Sequence, residues 1–248
     1  MSRRSGKGRG PGGKAGPGGQ AGPSGRGLKT RVRSAKGRSL SSTRWLERQL
    51  NDPYVAEAHK RGYRSRAAFK LAQIDDKFAI LRPGARVVDL GAAPGGWSQV
   101  ARERCGDAAR IVALDLQEME PLPGVIVLHG DFGEPAVQAR VREALGGPAD
   151  VVLSDMAAPA TGHAQTDHLR IMRLAEEAYA FAAEILAPGG AFVAKVLQGG
   201  SEATLLAALK RAFAKVRHVK PPASRADSAE LYLVATGFRG EAAEDRPP

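Results

Sequence analysis

From position 86 onward, short apolar runs alternate with longer stretches whose apolar residues recur every three or four positions. The first texture reads as strand and the second as helix. The expected strands are Arg86–Leu90, Arg110–Leu116, Val125–Leu128, Asp150–Ser154, Ala191–Val196, Val216–Val219 and Leu231–Thr236. Helices are expected near Trp97–Cys105, Pro135–Leu145, His168–Leu186 and Glu202–Ala214. Two helical stretches come earlier: residues 42–60, and Ser65–Phe78, which Pro83-Gly84 breaks. Strand and helix in alternation imply a parallel sheet covered on both faces. The last two strands are joined by Lys220–Glu230, which has no helical pattern, so that pair should be antiparallel. The expectation is a single doubly wound α/β domain, Rossmann-like, with a mostly parallel seven-stranded sheet.

Charge divides the chain differently. Residues 1–43 hold 11 Lys or Arg, 12 Gly and no Asp or Glu. The chain as a whole has 37 basic and 26 acidic residues, so its net charge of +11 resides in that segment. With almost nothing apolar to bury, residues 1–41 read as a disordered basic arm suited to a polyanion. Residues 42–238 then form the folded domain and 239–248 a flexible tail. No stretch has the 18 or more apolar residues of a membrane span, no apolar run follows the charged N-terminus as a secretory signal requires, and Cys105 is the lone cysteine. These features fit a cytoplasmic protein without disulfides.

The richest local pattern is Asp89-Leu-Gly-Ala-Ala-Pro-Gly-Gly-Trp97, between the first strand and its helix. Open α/β sheets bind ligands at this edge. Gly91, Gly95 and Gly96 permit tight turns and a close approach of backbone to ligand. A dinucleotide fingerprint would need glycine where Ala93 stands, and Pro94 removes a backbone donor a pyrophosphate could use. Aspartates follow at three successive strand ends: Asp115, Asp131 and Asp155. The first can accept both ribose hydroxyls of an adenosine, the second can accept an adenine amino group, and the third reaches the position of a reactive centre. Any one of them alone could be a helix cap; three in register beside a glycine loop favour an adenosine site. His163, His168 and Asp167 match no zinc spacing and are expected to shape a loop and helix start. Cys105 reads as packing.

Together with Arg64-Ser-Arg-Ala-Ala-Phe-Lys70, Ser154-Asp-Met-Ala, Lys195-Val-Leu-Gln-Gly199 and Leu231-Tyr-Leu-Val-Ala-Thr-Gly237, this loop resembles the FtsJ/RrmJ family of ribosomal RNA large subunit methyltransferases. The resemblance covers about residues 42–238. It implies S-adenosylmethionine held by Gly95, Trp97, Asp115, Asp131 and Asp155, and a catalytic set of Lys70, Asp155, Lys195 and Glu230. It further implies transfer of methyl to a ribose 2′-hydroxyl, a uridine in large-subunit rRNA; nothing in the sequence demands more than a monomer, and no metal is expected. One departure is Ala158-Pro159, where the family usually has Pro-Asn.

Methyl transfer to a hydroxyl requires orientation and a way to remove or stabilise the hydroxyl proton. Free lysine is charged at neutral pH, with a pKa of about 10.4. Lys195 can therefore serve either as a base or as a cation beside a developing alkoxide. Arg44, Arg48, Lys60, Arg61, Arg64, Arg66 and Lys70 cluster ahead of the first strand, with Lys215, Arg217, Lys220 and Arg225 at the far end, and this reads as an RNA-phosphate surface. A non-catalytic ribosome-assembly factor on the same fold would lack the reacting set. A methyltransferase for proteins or small molecules would have no use for the basic face.

Overall fold

The structure, a computed structural model, describes residues 50–159, 161–198 and 203–240. The basic arm at 1–41 and tail residues 241–248 lie outside them, as do Arg44 and Arg48. The described elements are α1 (Pro53–Arg61), α2 (Ala68–Phe78), β1 (Arg86–Leu90), α3 (Gly96–Cys105), β2 (Arg110–Asp115), β3 (Val125–His129) and α4 (Pro135–Leu145). They continue through β4 (Ala149–Ser154), α5 (Ala164–Ile185), β5 (Leu186–Leu197), α6 (Ala203–Ala212), β6 (Phe213–Val219) and β7 (Glu230–Phe238).

The seven strands form one sheet in the order β3-β2-β1-β4-β5-β7-β6. The pairs β1–β2, β1–β4, β2–β3 and β4–β5 are parallel. Strand β7 inserts between β5 and β6 and runs antiparallel to both. The sheet is therefore mixed, with a parallel majority. The antiparallel β6–β7 pair is as expected, whereas the pairing of β7 with β5 has no sequence signal.

Strand alternation sorts the core into two layers. Val87, Ile111, Val151, Leu153, Val193, Tyr232 and Val234 face α2 and α3. Val88, Leu90, Val112, Leu114, Val152, Phe192 and Leu233 face α4, α5 and α6. No described helix is long and apolar enough to cross a membrane.

Several boundaries move for physical reasons. Of the first helical stretch, expected over 42–60, residues 42–49 lie outside the described residues; Leu50 is helical, and after a turn at Asn51 a helix begins at Pro53. Asp52 caps it there, accepting from Tyr54 N at 3.0 Å, and proline occupies the first turn, where no N–H is needed. Phe213, expected in the last helix, opens β6 instead. It pairs in register with Phe238, the rings 5.2 Å apart, so cross-strand packing overrides the helical pattern.

Candidate active site

Three strands deliver polar side chains to the α2 face by the same alternation. Counting in twos from the buried Leu153 reaches Asp155, and from Val193 reaches Lys195. On β7, Glu230 and Tyr232 precede Val234 on that face, and Tyr232 is the register partner of Lys195. Lys70 descends onto them from α2.

Those five residues form one connected cluster. Lys195 Nζ lies 2.8 Å from both the backbone carbonyl and Oδ1 of Asp155. Tyr232 donates its hydroxyl to the same Oδ1 at 2.7 Å. Lys70 Nζ donates to Tyr232 Oη at 3.1 Å and pairs with Glu230 Oε2 at 3.0 Å. Both lysines are 7% exposed, so each charge is held by a partner rather than by water. Burial pushes the Tyr232 phenol well above its ordinary value, and the neighbouring Asp155 and Glu230 reinforce this, so it remains a donor throughout the neutral range. Burial also tends to raise the Glu230 carboxyl, but Lys70 and Lys195 outweigh it and hold the group below its ordinary value.

Tyr232 has no place among the residues expected from the sequence, because a strand tyrosine ordinarily signals core, and this one is core by burial. The available signal is its position two residues beyond Glu230, on the same face.

Asp155 also borders a cleft of about 740 Å³ at the carboxyl ends of β1, β2, β3 and β4, with Asp115, Asp131, Leu116 and Met156 among its walls. Gly91 has φ +74°, and an added Cβ would lie 2.7 Å from the backbone of Met156. The glycine thus allows the β1 and β4 loops to meet at the cleft floor. Asp115 accepts from Ala93 N at 2.9 Å and Gln117 N at 2.8 Å, tying two loops together. Asp131 accepts from Gly133 N at 2.9 Å. Gly95 and Trp97 lie outside the cleft wall. Gly95 caps α3, and the Trp97 indole is packed 5.5 Å from the Tyr232 ring with its N–H on Ala67 O.

Beneath the loop, Asp89 is fully buried. Ser98 donates to Oδ2 at 2.6 Å, while Oδ1 has no partner. Burial, partly offset by Ser98, pushes its carboxyl up to about 7.

The expected basic surface is partly committed elsewhere. Arg66 pairs with Asp52 at 2.9 Å and donates to Ala223 O; Lys220 donates to Ala226 O and Ser228 O; Arg225 lies 3.4 Å from Asp52. These cations brace the rim around the lysines, and Arg64 is bound in a similar way. Asp167 shapes the loop before α5, accepting from Thr161 N and Gly162 N. Cys105 is buried, which pushes its thiol up to about 11.

Residues 63–238 match the family described as FtsJ-like methyltransferase. The chain belongs to that family. Within the FtsJ-like family it is 63% identical over 220 residues to the Ribosomal RNA large subunit methyltransferase E of Paramagnetospirillum magneticum, covering 87% of this chain and 90% of that one. It is 62% identical over 220 residues to the protein of the same name from Xanthobacter autotrophicus, covering 88% and 87%. Among solved structures, a ribosomal RNA methyltransferase from Plasmodium falciparum superposes with a TM-score of 0.64 at 31% identity, covering 72% of this chain and all of that one.

Proposed function

We propose that this FtsJ-like protein is a cytoplasmic, monomeric enzyme that methylates a ribose 2′-hydroxyl, that of a uridine, in large-subunit ribosomal RNA, using S-adenosylmethionine. One observation carries the reading: Asp155 belongs both to the cleft wall and to the lysine cluster, so a ligand in the cleft meets the reacting groups at that residue.

The cleft suits the cofactor. Its volume lies in the usual range for small-molecule sites, roughly 300–1,000 Å³. Asp115 and Asp131 each keep acceptor capacity for ribose and adenine donors beyond the backbone bonds described above. Bound there, S-adenosylmethionine supplies a methyl group already activated by the positive charge on its sulfur. The protein has to orient the hydroxyl and manage its proton. Both partners of Lys195 Nζ are atoms of Asp155, which leaves one position on the nitrogen for the substrate. That position is a lone pair in the amine, fit to take the hydroxyl proton. In the ammonium it is an N–H, fit to hold the alkoxide. Lys70, Tyr232 and Glu230 fix this geometry in a cluster that is electrically neutral when all four charged groups are ionised.

Purified protein incubated with labelled S-adenosylmethionine and large subunits should yield 2′-O-methyluridine after nuclease digestion, and Lys195→Ala should abolish the label while retaining affinity for S-adenosylhomocysteine. Label on a base, or transfer that survives Lys195→Ala, refutes the assignment.

A further inference from the structure

Arg64 is one of the cations that the sequence pattern assigns to an RNA surface. Its guanidinium faces the protein. Nη1 donates to Glu120 O at 2.7 Å and to Pro94 O at 3.3 Å, and Nη2 donates to Pro121 O at 2.7 Å. Pro94 lies in the glycine loop after β1; Glu120 and Pro121 lie in the loop after β2. Asp115 joins these same two loops further in, through Ala93 N and Gln117 N. One carboxylate and one guanidinium therefore staple the pair at two points. The inner staple is itself part of the cleft, since Ala93, Asp115, Leu116 and Gln117 are all among its walls.

The backbone is shaped around the same interaction. Gly95 has φ +113°, and a Cβ there would lie 3.1 Å from both Arg64 Nη1 and Met119 Sδ. This glycine makes room for the arginine. Arg64 N in turn donates to Gln99 Oε1 at 2.7 Å, which anchors the residue to α3.

We infer that Arg64 is a positioning residue of the cofactor cleft: its guanidinium clamps the β1 and β2 loops at the spacing that S-adenosylmethionine requires. The inference rests on the cofactor reading above. Nη1 alone bridges the two loops, and Nη2 adds a second bond on the β2 loop that fixes the plane of the fork; the single ammonium of a lysine lacks that second anchor and sits on a flexible stem. Charge alone is thus insufficient, which separates this role from phosphate attraction.

The test measures S-adenosylhomocysteine binding by calorimetry, RNA binding across a salt series, and KM against kcat for Arg64→Ala and Arg64→Lys. Both variants should bind S-adenosylhomocysteine about tenfold or more weakly, with KM for the methyl donor raised to match. Turnover at saturating donor should approach that of the parent protein. RNA affinity and its salt slope should be unchanged in Arg64→Lys, so even if Arg64→Ala fails to fold, the lysine variant decides. Parental cofactor affinity in Arg64→Lys overturns the inference. So does a salt slope reduced by about one in Arg64→Ala with cofactor affinity intact, the mark of a cation that had been neutralising a phosphate. If the parent protein itself fails to bind S-adenosylhomocysteine, the cofactor reading falls and this inference falls with it.

Discussion

Replacing Tyr232 by phenylalanine removes one oxygen and leaves the ring in place, so it isolates what the hydroxyl does. That hydroxyl donates to Asp155 Oδ1 at 2.7 Å and accepts from Lys70 Nζ at 3.1 Å. Hydrogen bonds to charged groups contribute about 1.5–3 kcal/mol each. Neither charge is stranded by the change, since Asp155 keeps Lys195 at 2.8 Å and Lys70 keeps Glu230 at 3.0 Å. The low end of that range therefore applies to each of the two bonds, and the total loss should be about 3 kcal/mol. For a domain of this size each kcal/mol moves the midpoint by about 2–4 °C, so unfolding should occur about 6–12 °C lower. Turnover should fall roughly tenfold, because Lys70 and Asp155 lose the group that fixes their separation. Because the phenol stays protonated throughout the neutral range, both effects should hold steady from about pH 6 to about pH 9. Calorimetry and methyl transfer at saturating donor measure them. A midpoint within about 1 °C of the parent together with unchanged turnover would show that the hydroxyl is incidental.

Gly91→Ala should lower both stability, by about 1–3 kcal/mol, and affinity for S-adenosylhomocysteine, because the new methyl meets the Met156 backbone; unaltered titration and melting curves would contradict the close approach. Asp89, at about 7 in the folded state, binds a proton that the unfolded chain has already released, so its contribution to stability should fall as pH rises from about 4 to 7 and level off above. Asp89→Asn should flatten that slope in melts across the window, and a parallel slope would place the titration elsewhere. Deleting residues 1–41 should weaken RNA binding and reduce its salt slope, by about 0.9 for each phosphate that the arm neutralises, with cofactor affinity unchanged. A slope that stays the same would remove the arm from RNA binding.

The layered fold was legible because the parallel strands are buried on both faces and read as continuous apolar runs, such as Ile111–Leu114 and Val151–Leu153. Lys70, Asp155, Lys195 and Glu230 were identified from the resemblance, yet strand parity alone would have put three of them on one face. The roles of the cations were hidden. A sequence gives the charge of Arg64, Arg66, Lys220 and Arg225, but their acceptors are mostly backbone carbonyls, which leave no trace in residue identity. The neighbour of Gly95 was hidden in the same way: a Cβ there would lie 3.1 Å from the Arg64 guanidinium, which the loop pattern does not reveal. The insertion of β7 beside β5 was likewise invisible, since pairing partners depend on which edge remains open.

That insertion divides the site unevenly along the chain. Cleft walls come from residues 91–177, whereas Glu230 and Tyr232 sit on the final strand, wedged between two others. A nascent chain that has emerged only as far as β6 already carries the cleft walls and Lys195, but lacks the two β7 side chains that hold Asp155 and Lys70. On the reading proposed above, the reacting set is whole only once the closing strand is in the sheet.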